Sequence, residues 1–165
     1  TKREGFELDE IFWFTNRRKG HKNGVNTYVM TMVSREPRQL VAFEVEESVC
    51  AERIQAMVDR SPAARNYYTD GGMSYLDVNF WGRHRRNIHD KRDTHIIEGT
   101  NADLRHYIAG LRRKSRCFFR SLETMNAVLT LFISAYNQFG EAKRVYKERH
   151  PDCGRDFSFN HIQFI

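Results

Sequence analysis

Three consecutive segments of the chain have the composition of β-strands, and this run constrains the fold more than any other feature. The segments are 6–14, 25–33 and 40–45, each rich in apolar, aromatic or β-branched residues. A polar, glycine-punctuated stretch at 17–24 and a proline-containing turn at 34–38 separate them. Connections as short as these join antiparallel neighbours. The sequence therefore predicts an antiparallel meander of three strands.

The rest of the chain alternates helical and strand patterns. Ser48 is placed to cap a helix that runs to about Asp59, and a strand at 65–69 follows. A strand reached through a helical crossover pairs in parallel with an earlier strand. Further expected elements are a short helix at 73–80, a fifth strand at 86–90, a long helix at 96–116 and a helix capped by Ser121 and ended by Gly140. The order predicts an α/β fold of the ribonuclease-H-like kind, with a mixed five-stranded sheet (three antiparallel strands, then parallel ones) flanked by helices.

Length and composition agree with one compact domain. The chain has 165 residues, of which 40% are hydrophobic. We expect a catalytic domain at 1–140 and a C-terminal extension at 141–165. Three scattered cysteines without a C-x-x-C pair indicate reduced thiols and argue against a zinc site. No apolar run approaches the length of about 18 residues that a membrane span needs, so no membrane partner is expected.

Three acids occupy positions where such a fold gathers them. Asp9 lies in the first strand, Asp70 directly follows the fourth strand and Glu98 lies in the first turn of the long helix. Two glycines after Asp70 allow a sharp turn that leaves its carboxylate at the rim of the sheet. Carboxylates are preferred Mg2+ ligands, and two such ions can clamp the attacking and leaving oxygens of a phosphodiester displacement. The triad therefore predicts a catalytic site for two Mg2+ or Mn2+ ions.

Strand alternation leaves two other candidates for the first ligand. Glu7 shares a face with Asp9, whereas Glu10 points to the opposite face and is the weaker candidate. A lone strand acid is commonly a solvated residue, and an Asp before two glycines is commonly a turn former. The joint placement of three acids is what favours a metal site.

The charge of the chain favours a nucleic-acid partner. The formal net charge is +6, and basic runs at 83–86 and 112–116 precede and follow Glu98. Helical geometry places Asn101, Arg105 and Arg112 on one stripe with Glu98. Lysine and arginine contacts to phosphates supply affinity without sequence information. The candidate DNA-binding residues on these grounds are Arg85, Arg86, Arg105, Arg112 and Arg116.

The segment 94–121 closely resembles the acidic-helix region of the insertion-sequence-one type bacterial transposases. The shared positions are Glu98, Asn101, Leu104, Arg105, Leu111, Arg113, Lys114, Ser115, Phe118 and Ser121. Leu8-Asp9-Glu10 and Tyr68-Thr69-Asp70-Gly71 also match the first and second catalytic segments of that family. The likeness covers roughly residues 6–140 and implies a DDE transposase catalytic domain.

By this resemblance, Asp9, Asp70 and Glu98 bind two magnesium ions. They activate water to nick DNA at element ends, and then the freed 3′-hydroxyl to attack target DNA. The family motif also implies DNA contacts by Asn101, Arg105, Arg113 and Lys114. We further expect a homo-oligomer acting on paired DNA ends in the bacterial cytoplasm, at the nucleoid.

The origin of the chain and its activity both stay open from the sequence. Transposases of this group carry an N-terminal zinc-finger or helix-turn-helix DNA reader, which is not visible here, and the chain begins without methionine. We therefore expect a piece of a longer protein, a partner that supplies the reader, or a domesticated descendant. A plain nuclease with water as its only nucleophile, and an inactive DNA- or protein-binding module, are the competing functions.

Overall fold

A computed structural model describes residues 3–15, 24–87, 93–112 and 117–149, with side chains described up to residue 139. Its first three strands are β1 (Arg3–Thr15), β2 (Val25–Ser34) and β3 (Gln39–Glu46). They pair antiparallel in sequence order, which confirms the predicted meander.

The parallel part of the sheet follows a helical crossover. Helix α1 (Ala51–Asp59) leads to β4 (Ala64–Thr69), which pairs in parallel with β1. The last strand, β5 (Arg83–Arg86), pairs in parallel with β4 and completes the order β3-β2-β1-β4-β5. The predicted mixed five-stranded sheet of a ribonuclease-H-like fold is confirmed.

Three predicted details in this region are wrong. The strand expected at 86–90 lies at Arg83–Arg86, and residues 88–90 lie outside the described part of the chain. The helix expected at 73–80 is a single 3-10 turn, Met73–Tyr75. Helix α1 follows Cys50, which makes no capping hydrogen bond with its side chain, so Ser48 is not its cap.

Each face of the sheet buries its own apolar cluster. Strand alternation sends Phe6 and Leu8 of β1 toward α1, where they pack with Ile54 and Tyr75. Ile11 and its neighbours on the opposite face pack under the two later helices. Because β1 is central and buried on both faces, its side chains are positioned by two independent cores.

The acidic helix is shorter than predicted. Helix α2 spans His95–Tyr107 and a 3-10 turn, Ala109–Leu111, follows, instead of a continuous helix over 96–116. Ile108 has an extended backbone with φ −94° and ψ 102°. A Cβ on Gly110 would lie 2.5 Å from the Phe119 ring. The chain therefore leaves the helix where this close packing and the burial of Ile108 require it.

The last described helix is longer than predicted. Helix α3 spans Leu122–Arg149, and the Thr124 backbone N–H donates to Ser121 Oγ at 3.2 Å, which agrees with the predicted cap. Gly140 lies inside this helix and does not end it, since one internal glycine costs only about 1 kcal/mol. The proposed boundary between 140 and 141 therefore falls within α3. Among the helices described, none is long and apolar enough to cross a membrane.

Candidate metal centre

Asp9 and Asp70 meet at the carboxyl end of the parallel pair. Phe6 lies opposite Tyr67 and Glu7 lies opposite Tyr68 in the β1–β4 register. Continuing that register by two residues brings Asp9 opposite Asp70, directly after β4 ends at Thr69. Two carboxylates distant in sequence thus lie side by side because the parallel register aligns Asp9 of β1 with the end of β4.

Glu10 joins these two acids. One carboxylate oxygen from each of Asp9, Glu10 and Asp70 lies within 4.8 Å of the others. Alternation predicts that Glu10 faces away from Asp9, and the two do lie on opposite faces of β1. The strand, however, continues to Thr15 beyond the end of β4. Among the described residues no strand pairs with this side of β1 beyond Thr69, so carboxylates from both faces can turn toward Asp70.

A buried amide holds the Asp9 carboxylate. Asn101 Nδ2 donates to Asp9 Oδ2 at 2.9 Å, and Thr31 Oγ1 donates to Asn101 Oδ1 at 2.9 Å. Asn101 is 4% exposed and Thr31 is fully buried. Since the ionised Asp9 carboxylate can only accept, the NH2 group of the amide faces it, and the amide oxygen is left to accept from Thr31. The structure therefore places Asn101, a predicted DNA contact, inside the fold.

Tyr75 forms the corresponding contact to Glu10 on the other face. The two side chains are hydrogen-bonded, and Tyr75 is buried in the 3-10 turn that follows Asp70. Burial raises the pKa of the Glu10 carboxyl from 4.5 to about 7, and the charges of Asp9 and Asp70 act in the same direction. Burial and the nearby Glu10 charge raise the pKa of the Tyr75 hydroxyl well above 10. The phenol therefore stays protonated and able to donate.

The loop after β4 fixes Asp70. Its Oδ1 accepts a hydrogen bond from the Gly72 N–H at 2.8 Å, a side-chain-capped turn typical of Asp before glycine. Arg86 donates from Nη2 to the Gly71 carbonyl and lies 3.8 Å from the Met73 sulfur. Asp70 is exposed at this rim, so its other oxygen is open to a ligand.

Glu98 lies beside this cluster rather than within it. It is exposed in the first turn of α2, where the helix dipole favours a negative charge. Burial raises the pKa of the Asp9 carboxyl, and the charges of Asp70 and Glu98 raise it further. The third predicted acid is therefore close enough to interact electrostatically with Asp9, although it is outside the group of three within 4.8 Å.

The donor set fits a hard divalent cation. Mg2+ prefers carboxylate oxygens at about 2.0–2.1 Å, which places opposite ligands about 4.2 Å apart. The oxygens of Asp9, Glu10 and Asp70, within 4.8 Å of one another, approach that span. Burial is the main cause of the raised pKa of Asp9 and Glu10, and a bound cation would offset the mutual repulsion that adds to it. Glu7 is not in this group, being fully buried and bonded elsewhere.

The predicted DNA-binding arginines have different surroundings. Arg85 is exposed, with its guanidinium 5.8 Å from the centre of the Tyr68 ring, whereas Arg86 is turned inward to Gly71. Arg105 is half-buried on α2. Arg112 is exposed but follows the 3-10 turn, so it is not on one helical stripe with Glu98 as predicted. Arg113, Lys114 and Arg116 lie outside the described residues.

Fold and cluster together define the class of this chain: a ribonuclease-H-like domain with an acidic candidate metal centre at the end of its parallel strands. No protein-family model matches the chain, and no curated protein matches it. Among solved structures, it is similar to a chain in the crystal structure of the Mos1 strand transfer complex, with 15% sequence identity and a TM-score of 0.45. The match covers 92% of this chain and 53% of the other, so this chain spans about half the length of its structural neighbour. The insertion-sequence-one resemblance stays a prediction.

Proposed function

We infer that this chain is the catalytic domain of a DDE-type transposase, which cleaves DNA at element ends and transfers the freed 3′ ends to target DNA. The convergence of Asp9, Glu10 and Asp70 at the end of the parallel strands carries the proposal. Its support is chemical, since a cluster of carboxylates in which burial raises the pKa of Asp9 and Glu10 suits a divalent cation better than it suits a structural role.

Each acid has a separate role in this proposal. Asp9 and Asp70 hold Mg2+ or Mn2+ at the strand ends, and Glu98 supplies the third ligand from α2. Glu10 adds a fourth carboxylate, which the sequence predicted only as an alternative to Asp9 for the first ligand. When bound, a pair of such ions stabilises the charge on the attacking and leaving oxygens of a phosphodiester.

The other residues orient these ligands and the DNA. Asn101 keeps one oxygen of Asp9 engaged, which leaves the second oxygen directed to the cluster. Tyr75 does the same for Glu10. Arg85 and Arg112, both exposed, contact the phosphate backbone in this proposal, together with Arg113, Lys114 and Arg116 of the predicted basic run. Water is the first nucleophile and the DNA 3′-hydroxyl is the second.

A strand-transfer assay tests the proposal. The full chain is incubated with Mn2+ or Mg2+, a labelled duplex with a free 3′-hydroxyl end and a plasmid target. Covalently joined product that disappears in Asp70→Asn and with chelator is the expected result. Hydrolysed strands without joined product would support a nuclease instead. DNA binding with neither product, unchanged in Asp70→Asn, would support an inactive binding module.

A further inference from the structure

Glu7 is a carboxylate sealed within the fold and not used by the proposed chemistry. Its side chain is fully buried, with 0% of its surface exposed. Oε1 accepts a hydrogen bond from Arg35 Nε at 2.8 Å, and Oε2 accepts one from the Ile97 backbone N–H at 2.8 Å. The two oxygens thus join β1 to the segment after β2 and to the acidic helix.

The bond to Ile97 caps one of the first backbone N–H groups of α2. The first backbone N–H groups of a helix have no partner within it and require an outside acceptor. Thr94, the residue before α2, makes no capping hydrogen bond with its side chain. Glu7 fills this role from a distant strand, and its negative charge suits the positive end of the helix dipole.

Arg35 connects the Glu7 carboxylate to the segment before α2 and to β4. Its Nη2 donates to the Asp93 carbonyl at 2.6 Å, directly before α2. Its guanidinium lies 3.6 Å from the centre of the Tyr68 ring on β4. A Cβ on Gly5 would lie 3.0 Å from that ring, so Gly5 of β1 also packs closely against it. Glu7 therefore has little freedom to move, and neither has the start of α2.

An ion pair of this kind is a costly way to gain stability. Glu7 is fully buried and the Arg35 side chain is only 24% exposed, so the pair loses much of its hydration, and apolar side chains of similar volume often stabilise a protein as much or more. A buried pair is better explained by the geometry that it imposes. Here that geometry concerns Ile97, whose immediate neighbour in α2 is Glu98.

We propose that Glu7, oriented by Arg35, is a positioning residue that fixes the first turn of α2 so that Glu98 reaches the metal centre. This role rests on the proposed function, because it assigns Glu98 as a ligand. The first strand thus supplies Asp9 to the centre directly and controls Glu98 through Glu7. The separation between Asp9 and Glu98 is then constant, because β1 carries Asp9 and also holds the helix turn that carries Glu98.

A metal-binding cycle tests this role without requiring turnover. Mn2+ affinity of the full chain is measured by electron paramagnetic resonance in Glu7→Leu, Glu98→Gln and the double variant. Glu7→Leu should weaken Mn2+ binding by about 10- to 100-fold, as is usual for residues that orient ligands. Glu7→Gln keeps a side-chain oxygen that can accept from the Ile97 N–H, so it should lose less Mn2+ affinity. In the Glu98→Gln background, Glu7→Leu should add nothing further.

Glu4→Gln, an exposed acid on the same strand, is the matched control and should change nothing. Ile97 amide hydrogen exchange should accelerate in Glu7→Leu, and this readout needs neither metal nor DNA. If Glu7→Leu is unfolded, Glu7→Gln in the folded state gives the same comparisons, with a weaker metal affinity still expected. Unchanged Mn2+ affinity in folded variants, or equal losses with and without Glu98, would overturn the positioning role. Absence of Mn2+ binding by the unaltered chain would instead overturn the proposed function and the positioning role with it, while Ile97 exchange would still show whether the cap exists.

Discussion

Asn101 donates a hydrogen bond from its side-chain amide to the Asp9 carboxylate, although the two residues are 92 positions apart. The amide is itself oriented by Thr31, a buried hydroxyl on β2. This three-residue chain connects the central strand, its antiparallel neighbour and the acidic helix. One carboxylate of the candidate centre is thus held by two buried polar side chains.

Replacing Asn101 by alanine should lower metal-dependent activity by about 10- to 100-fold while DNA affinity stays the same. Loss of the amide removes the Asn101 acceptor of Thr31, which keeps the Asp9 carbonyl within hydrogen-bond distance, and frees the Asp9 carboxylate to rotate. The expected stability loss is about 1–3 kcal/mol. Rates and DNA binding are measured in parallel with urea unfolding. Asn126→Ala, exposed on α3, is the control. A selective loss of DNA affinity would show that Asn101 contacts DNA, as the family motif implies.

Replacing Glu10 by glutamine should stabilise the metal-free protein at pH 8 by about 1–3 kcal/mol, a figure scaled from the pKa shift. The folded pKa of Glu10 is about 7, above the value of 4.5 expected when unfolded. The stabilisation that protonated Glu10 gives the folded state, relative to the ionised group, is therefore fully present below pH 4.5. It is lost as the pH rises through 7. The measurement is urea unfolding with chelator at pH 5 and pH 8. Equal effects of the substitution at both pH values would contradict the raised pKa.

The loop glycines offer a matched pair of substitutions. A Cβ on Gly72 would lie 3.0 Å from Asp70 Oδ1 and 3.2 Å from the Tyr75 ring, whereas a Cβ on Gly99 meets nothing within 4 Å. Gly72→Ala should therefore weaken Mn2+ binding by displacing Asp70. Gly99→Ala should leave binding intact and raise stability by up to about 1 kcal/mol, since alanine favours a helix. Equal Mn2+ affinities in the two variants would show that the turn at Asp70 does not matter to the centre.

Two neighbouring arginines should have separable effects. Arg85 is exposed, so Arg85→Ala should weaken DNA binding on all sequences and reduce the salt slope by about 1. Arg86 holds the Gly71 carbonyl, so Arg86→Ala should reduce turnover more than DNA affinity. Binding is titrated at several salt concentrations, with Arg53→Ala on α1 as control. An unchanged salt slope in Arg85→Ala would remove it from the DNA surface.

The sequence predicted the sheet well because its information is local. Alternating apolar residues and short turns identify β1 to β3, and Asp70 is adjacent to the strand that ends before it. Alternation placed Glu10 correctly on the face opposite Asp9, but it made Glu10 the weaker candidate. That ranking assumes strand neighbours on both sides, and beyond the end of β4 the described part of β1 pairs only with β2. Glu98 and Asp9 were matched through their places in the predicted fold, and the family motif agreed with that match.

Contacts between residues far apart in the chain could not be predicted from local sequence patterns. Nothing in the local pattern separates Glu7, a buried cap of α2, from a solvated strand acid, since its partner Ile97 is 90 positions away. Asn101 is equally ambiguous, because its helical position suits either a groove or a contact with β1. The early end of α2 depends on packing between Gly110 and Phe119, which helical periodicity does not report. These features follow from tertiary packing alone.

The most direct test of the central claim is anomalous scattering from crystals of the protein soaked in Mn2+. The account predicts manganese peaks where β4 ends beside the middle of β1, within about 2.0–2.6 Å of oxygens from Asp9 and Asp70, with Glu98 or Glu10 completing the ligands. In Asp70→Asn crystals these peaks should weaken or vanish. Full soaking without any peak near Asp9 and Asp70 would contradict a metal centre, and with it the proposed transposase chemistry.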